Sequence, residues 1–172
     1  MSIERKNVVT SKGNPVTLLG PEIKIGTKAP DFAVLDNQST VFSSKQVAGK
    51  VRIYNVVTSL DTSICDLQTK RFNEEAAALG DNVEILTISV DLPTAQKRWC
   101  GAAGIDKVKV LSDHRDLSFG LAYGVVIKEL RLLSRSIFIV DQHDTVRYVE
   151  YVKEVASHPD YDKALSAIKT LL

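Results

Sequence analysis

The sequence predicts an α/β fold: a mixed central sheet with helices on both faces, preceded by a β-hairpin. Three observations carry that expectation. Val51 to Val57 and Val83 to Val90 are apolar, β-branched runs with little alternation, as in parallel strands covered on both faces. Each is followed by a helical pattern, over residues 66–79 and 93–103, and strand–helix–strand units require right-handed crossovers and parallel pairing. Later in the chain, Ser136 to Val140 and Thr145 to Val152 flank a turn-like Asp141 to Asp144 and read as an antiparallel hairpin.

Taken in order, Val16 to Leu19 and Glu22 to Ile25 flank Gly20-Pro21, so a short hairpin is expected at about residues 13–26. Phe32 to Leu35 reads as a strand, Asn37 to Thr40 as a turn, and Val41-Phe42 as a strand pairing back. In the helix after Val57, residues Cys65, Thr69, Phe72, Ala76 and Leu79 share one face. Ser63 with Asp66 fits a capping box at its start, and Gly80 ends it. Pro93 opens a second helix that carries Trp99 and Cys100 and stops by Gly104. Val108 to Leu111 is a short strand, and Ser112 to Tyr123 begins polar and continues as a helix. Tyr161, Ala164, Leu165, Ile168 and Leu171 stripe a closing amphipathic helix, with Pro159 near its start. This is the element order of a thioredoxin-like fold with an N-terminal extension, within one domain spanning residues 1–172.

Composition narrows the classes. Among 172 residues, 22 Lys and Arg against 21 Asp and Glu leave a net charge of +1, so no charge excess points to nucleic acid or a membrane surface. No apolar run approaches the ~20 residues of a membrane span, and MSIERKNVV lacks a signal-peptide core. The expectation is a cytoplasmic chain with no nucleic-acid or membrane partner. Two cysteines 35 positions apart make neither a disulfide scaffold nor a CxxC pair, and His114, His143 and His158 are scattered. Neither a metal nor an organic cofactor is expected.

Cys65 has two readings. A free cysteine is often a buried apolar filler, but a helix N-terminus presents unpaired N–H groups and partial positive charge, both of which favour thiolate over thiol. Thr62, three residues earlier, either caps the helix or bonds the sulfur. Cys100 is a second core cysteine or the partner of Cys65, and Gly101 and Gly104 give its helix weak local propensity. Arg135, at the mouth of a central strand, either snorkels to solvent or lies beside the Cys65 sulfur. His114, Arg115 and Asp116 read as a solvated loop, and Trp99 as a core anchor.

The segment from Ser59 through Cys65 to Glu75 resembles the bacterial thiol peroxidases, a branch of the atypical two-cysteine peroxiredoxins. Asp91 to Gly101 is similar to their second-cysteine segment. Ser112 to Gly120 and Glu129 to Ser136 match later landmarks, and Gly13 to Val16 the start of the hairpin. The resemblance implies Cys65 as the peroxidatic cysteine and Cys100 as the resolving one, joined in an intramolecular disulfide during turnover. It implies Thr62 and Arg135 as partners of thiolate and peroxide, thioredoxin or a similar dithiol as reductant, and a homodimer. Hydrogen peroxide and small organic hydroperoxides are the implied substrates.

Four positions depart from that family pattern. Thr58 stands where the family has a proline at the start of the active-site loop, and is expected to leave the site looser and wetter. Thr94 replaces a phenylalanine, and Ser134 and Ser136 flank the arginine where alanine is common. Two other functions fit the same residues: a thiol–disulfide oxidoreductase, which the lack of CxxC disfavours, and a non-catalytic redox sensor or binding module.

Overall fold

The computed structural model describes residues 2–172. The N-terminal hairpin pairs β1 (Glu4–Ser11) with β2 (Asn14–Leu19), antiparallel. Its two-residue loop is Lys12-Gly13, both at positive φ (50° and 81°), the conformation whose twist suits a tight hairpin. The hairpin therefore occupies residues 4–19 rather than 13–26, and residues 22–25 form no strand. Gly20 serves another purpose: a Cβ there would come within 2.2 Å of the Leu121 carbonyl oxygen. Two short strands absent from the sequence expectation, β8 (Val126–Ile127) and β9 (Leu132–Leu133), extend the hairpin into a four-stranded sheet.

The central sheet has seven strands in the order β11-β10-β5-β6-β7-β3-β4. Its middle is β5 (Val51–Val56), β6 (Val83–Ser89) and β7 (Lys109–Ser112), mutually parallel. β10 (Ser136–Val140) runs antiparallel to β5 and pairs with β11 (Val146–Tyr151). β3 (Ala33–Leu35) and β4 (Val41–Ser43) close the other edge. All six residues of β5 are buried, which is why that run shows no alternation.

Helices cover both faces. On one lie α1 (Ser63–Leu79), α2 (Pro93–Ala103) and α4 (Tyr161–Lys169), packed on Ile53, Ile85, Ile137 and Ile139. Burying Ile168 and Leu165 of α4 contributes about 2 kcal/mol each. On the other face α3 (Ser118–Ala122) adds Phe119, stacked on Tyr123 at 4.3 Å and met edge-on by Phe32. α3 is shorter than the expected helix over 112–123. Ser112 stays in β7, Leu117 takes positive φ (52°), and the buried Asp113 carboxylate caps the short helix by accepting from the Phe119 and Gly120 N–H groups.

Candidate active site

α1 starts directly above the end of β5. Its N-cap is Thr62, in extended conformation, and no side chain caps the helix. The expected Ser63–Asp66 capping box does not form, because the Asp66 carboxylate is engaged elsewhere: Lys70 donates to it at 2.8 Å and the Trp99 indole at 3.0 Å. The first turn of α1, with Cys65 in it, thus keeps N–H groups that no side chain occupies. The Cys65 side chain itself is fully buried.

Arg135, just before β10, is only 2% exposed, so it does not snorkel to solvent. Its guanidinium is spread over three acceptors. Nε donates to the Val155 carbonyl at 2.8 Å, Nη1 to Gln68 Oε1 at 2.7 Å, and Nη2 to Cys65 Sγ at 3.3 Å. A planar, permanently charged fork with donors on three nitrogens fits such a set, where a lysine would have all its donors on one nitrogen. The fold thus brings Cys65 and Arg135 into contact across 70 residues.

Thr62 is placed differently. It is exposed, and its hydroxyl donates to the Ser59 carbonyl at 2.8 Å, shaping the loop before α1 rather than bonding the sulfur. Thr58 is 9% exposed and the sulfur below is covered; Val57, Leu60 and Phe72 join Cys65 in one apolar cluster. The Thr58 hydroxyl is buried with no hydrogen-bond partner among the described residues.

The loop from Thr58 to Thr62 is fastened by a residue that the sequence reading passed over. Asp91, between β6 and α2, accepts from the Ser59 hydroxyl at 2.7 Å, the Leu60 N–H at 2.9 Å and the Ser89 hydroxyl at 2.7 Å. An acidic residue following a buried strand was the available signal. Gln68 was legible too, since it lies three residues after Cys65 and so one turn along the same side of the helix.

Cys100 lies on α2, half-buried, and both cysteines are free thiols. The Asn37 amide nitrogen approaches its sulfur at 4.0 Å. Burial pushes the Cys100 thiol up, and the Asn37 contact offsets part of that. The two sulfurs therefore face different partners. Trp99 is more than a core anchor, because its indole nitrogen ties α2 to α1. His114, Arg115 and Asp116 sit on the turn between β7 and α3. Among the described residues, no group of three or more His, Cys, Asp or Glu side chains is arranged to hold a metal ion, and no helix is long and apolar enough to cross a membrane.

The Redoxin family model matches residues 24–165, from just after the hairpin into α4. A thiol peroxidase of Halalkalibacterium halodurans is 59% identical over 164 residues, covering 95% of this chain and 98% of that one. The chain belongs to the thiol peroxidase family. A thiol peroxidase of Bacillus subtilis is 58% identical with the same coverage. The crystal structure of a peroxiredoxin-like protein from Aquifex aeolicus superposes with a TM-score of 0.90 at 37% identity, over 99% of both chains. The thioredoxin-like architecture read from the element order is thus the family's fold, and the hairpin is part of what superposes.

Proposed function

We infer that the chain is a thiol-dependent peroxidase whose reacting sulfur is Cys65. The observation that carries this reading is the 3.3 Å contact between Arg135 Nη2 and the buried Cys65 sulfur at the uncapped start of α1. A cation and a helix N-terminus together stabilise a thiolate, and a donor-only guanidinium beside it suits the charge that develops on a departing oxygen.

In the first step the Cys65 thiolate attacks one oxygen of the peroxide. The O–O bond breaks, sulfur is oxidised to sulfenic acid, and the other oxygen leaves as hydroxide or alkoxide, taking up a proton to give water or an alcohol. Arg135 orients the peroxide and stabilises the leaving oxygen. Thr62 holds the loop that admits it, and Thr58 packs at the loop's start. In the second step the Cys100 thiolate attacks the sulfenic sulfur, hydroxide leaves and takes up a proton to give water, and a Cys65–Cys100 disulfide forms. Because the sulfurs face different partners, the helix ends must part for this. An external dithiol, for which thioredoxin is the family's expectation, then reduces the disulfide by exchange and is itself oxidised. The functional unit is one domain, working as a homodimer in the cytoplasm.

Mass spectrometry after one equivalent of hydrogen peroxide tests the cycle. The expected product is a single intramolecular Cys65–Cys100 bond, with peroxide consumption abolished in Cys65→Ser. A Cys65→Ser variant that turns over normally, or a wild-type chain that stops at sulfenic acid, overturns the proposal.

A further inference from the structure

Behind Arg135 runs a row of buried polar side chains that the reaction above does not use. Gln68 on α1, Asn55 on β5 and Thr87 on β6 are all fully buried. Asn55 and Thr87 are register partners on adjacent parallel strands, so their side chains stand together on the face that α1 covers. The row is continuous. Arg135 Nη1 donates to Gln68 Oε1 at 2.7 Å, Gln68 Nε2 donates to Asn55 Oδ1, and Asn55 Nδ2 donates to Thr87 Oγ1 at 3.0 Å.

Donor and acceptor chemistry fixes the direction of every link. A guanidinium has donors only, so Gln68 must turn its oxygen to Arg135. That turns its NH2 toward Asn55, which must answer with its oxygen and so send its own NH2 to the Thr87 hydroxyl. Rotating either amide by half a turn sets donor against donor. In a buried site that mismatch costs the desolvation of the groups left unpaired. A network satisfied at every link is stiff.

We propose that Thr87, Asn55 and Gln68 are positioning residues, a neutral relay that fixes the plane of the Arg135 guanidinium and so keeps Nη2 on the Cys65 sulfur. The proposal rests on the reading of Cys65 as the reacting sulfur. Thr87 touches neither sulfur nor arginine, and its action passes through two amides. Since no member of the row is charged, the relay orients Arg135 without adding a charge of its own to the site.

The test is stopped-flow oxidation of the reduced full-length chain by hydrogen peroxide, with thermal unfolding measured in parallel. Thr87→Val keeps the shape and removes the acceptor, and is expected to slow the first step roughly fivefold, the equivalent of one lost hydrogen bond. Thr87→Ser restores the hydroxyl and is expected to restore the rate, even if its lost methyl lowers the melting temperature. Gln68→Met, which removes the link next to Arg135, is expected to be slower still, and decides the matter should the valine variant not fold. Wild-type rates in Thr87→Val and Gln68→Met, or rates that follow melting temperature with no rescue by serine, overturn the relay. Loss of the underlying reading looks different: Cys65→Ser would then still consume peroxide.

Discussion

The Trp99 indole nitrogen donates to the Asp66 carboxylate at 3.0 Å, so the chain neighbours of the two cysteines are bonded to each other while their sulfurs face apart, toward Arg135 and Asn37. The bond ties the first turn of α1 to α2, the two segments that the proposed Cys65–Cys100 disulfide would join. A hydrogen bond to a charged acceptor is worth about 1.5–3 kcal/mol, enough to slow opening by tenfold or more. Trp99→Phe is therefore expected to hasten disulfide formation after peroxide and to lower the yield of sulfinic acid at Cys65. Rapid acid quenching and mass spectrometry measure both. An unchanged partition would mean that the helices part without breaking this bond.

Arg135→Lys keeps the charge and loses the fork. A single ammonium cannot serve the Val155 carbonyl, Gln68 and Cys65 together. The second-order rate constant for hydrogen peroxide is expected to fall by roughly 10²-fold, the loss typical of a removed transition-state donor. Stopped-flow kinetics checks it, and a lysine variant as fast as wild type would reduce the arginine to a point charge.

Asp91→Ala strips the acceptor from two hydroxyls and the Leu60 N–H. The expected cost is about 2–3 kcal/mol of stability, because buried donors are left unpaired. Proteolytic nicking between residues 58 and 62 is expected to rise with it. Urea unfolding and limited proteolysis give the two readouts, and stability lost without loop exposure would count against the clamp.

Thr58→Val removes a buried hydroxyl that has no partner among the described residues and keeps the shape of the side chain. It is expected to stabilise the chain by about 1 kcal/mol. If peroxide reactivity falls sharply at the same time, the hydroxyl serves the substrate.

Asp113 provides a pH dependence. Burial pushes its carboxyl up to about 6, against the N–H groups of Gly120, Phe119 and Ser118 that pull it down. An acid whose folded pKa lies above its unfolded value near ~3.9 holds its proton more tightly when folded. Its contribution to stability is then full below about pH 4 and is lost as pH rises through about 6. Asp113→Asn abolishes this titration, so the stability of wild type relative to the variant is expected to decline between those limits. Parallel curves in urea titrations would refute it.

Much of this molecule is written in local pattern. The buried runs of β5 and β6, the face carrying Cys65, Thr69 and Phe72, and the late hairpin follow from periodicity, since burial on one or both faces acts on every residue of an element. The N-terminal hairpin was misplaced because Gly20 looks like a turn glycine, whereas the close approach of residues 121–124 is what requires it. The two-residue strands β8 and β9 are too short to carry a period.

By itself the sequence determined the order of the central strands and their helices, the thiol at the start of α1 and, through its motifs, the family. Only the tertiary structure decided what those groups touch. It took Arg135 out of solvent and onto the sulfur, spent Asp66 on Trp99 rather than on a cap, and closed the loop with Asp91. The reason is physical. Periodicity reports which side of an element is buried, but a hydrogen bond depends on the direction and distance of one atom from another. Those are set by partners 30 to 70 residues away that come together only when the sheet assembles.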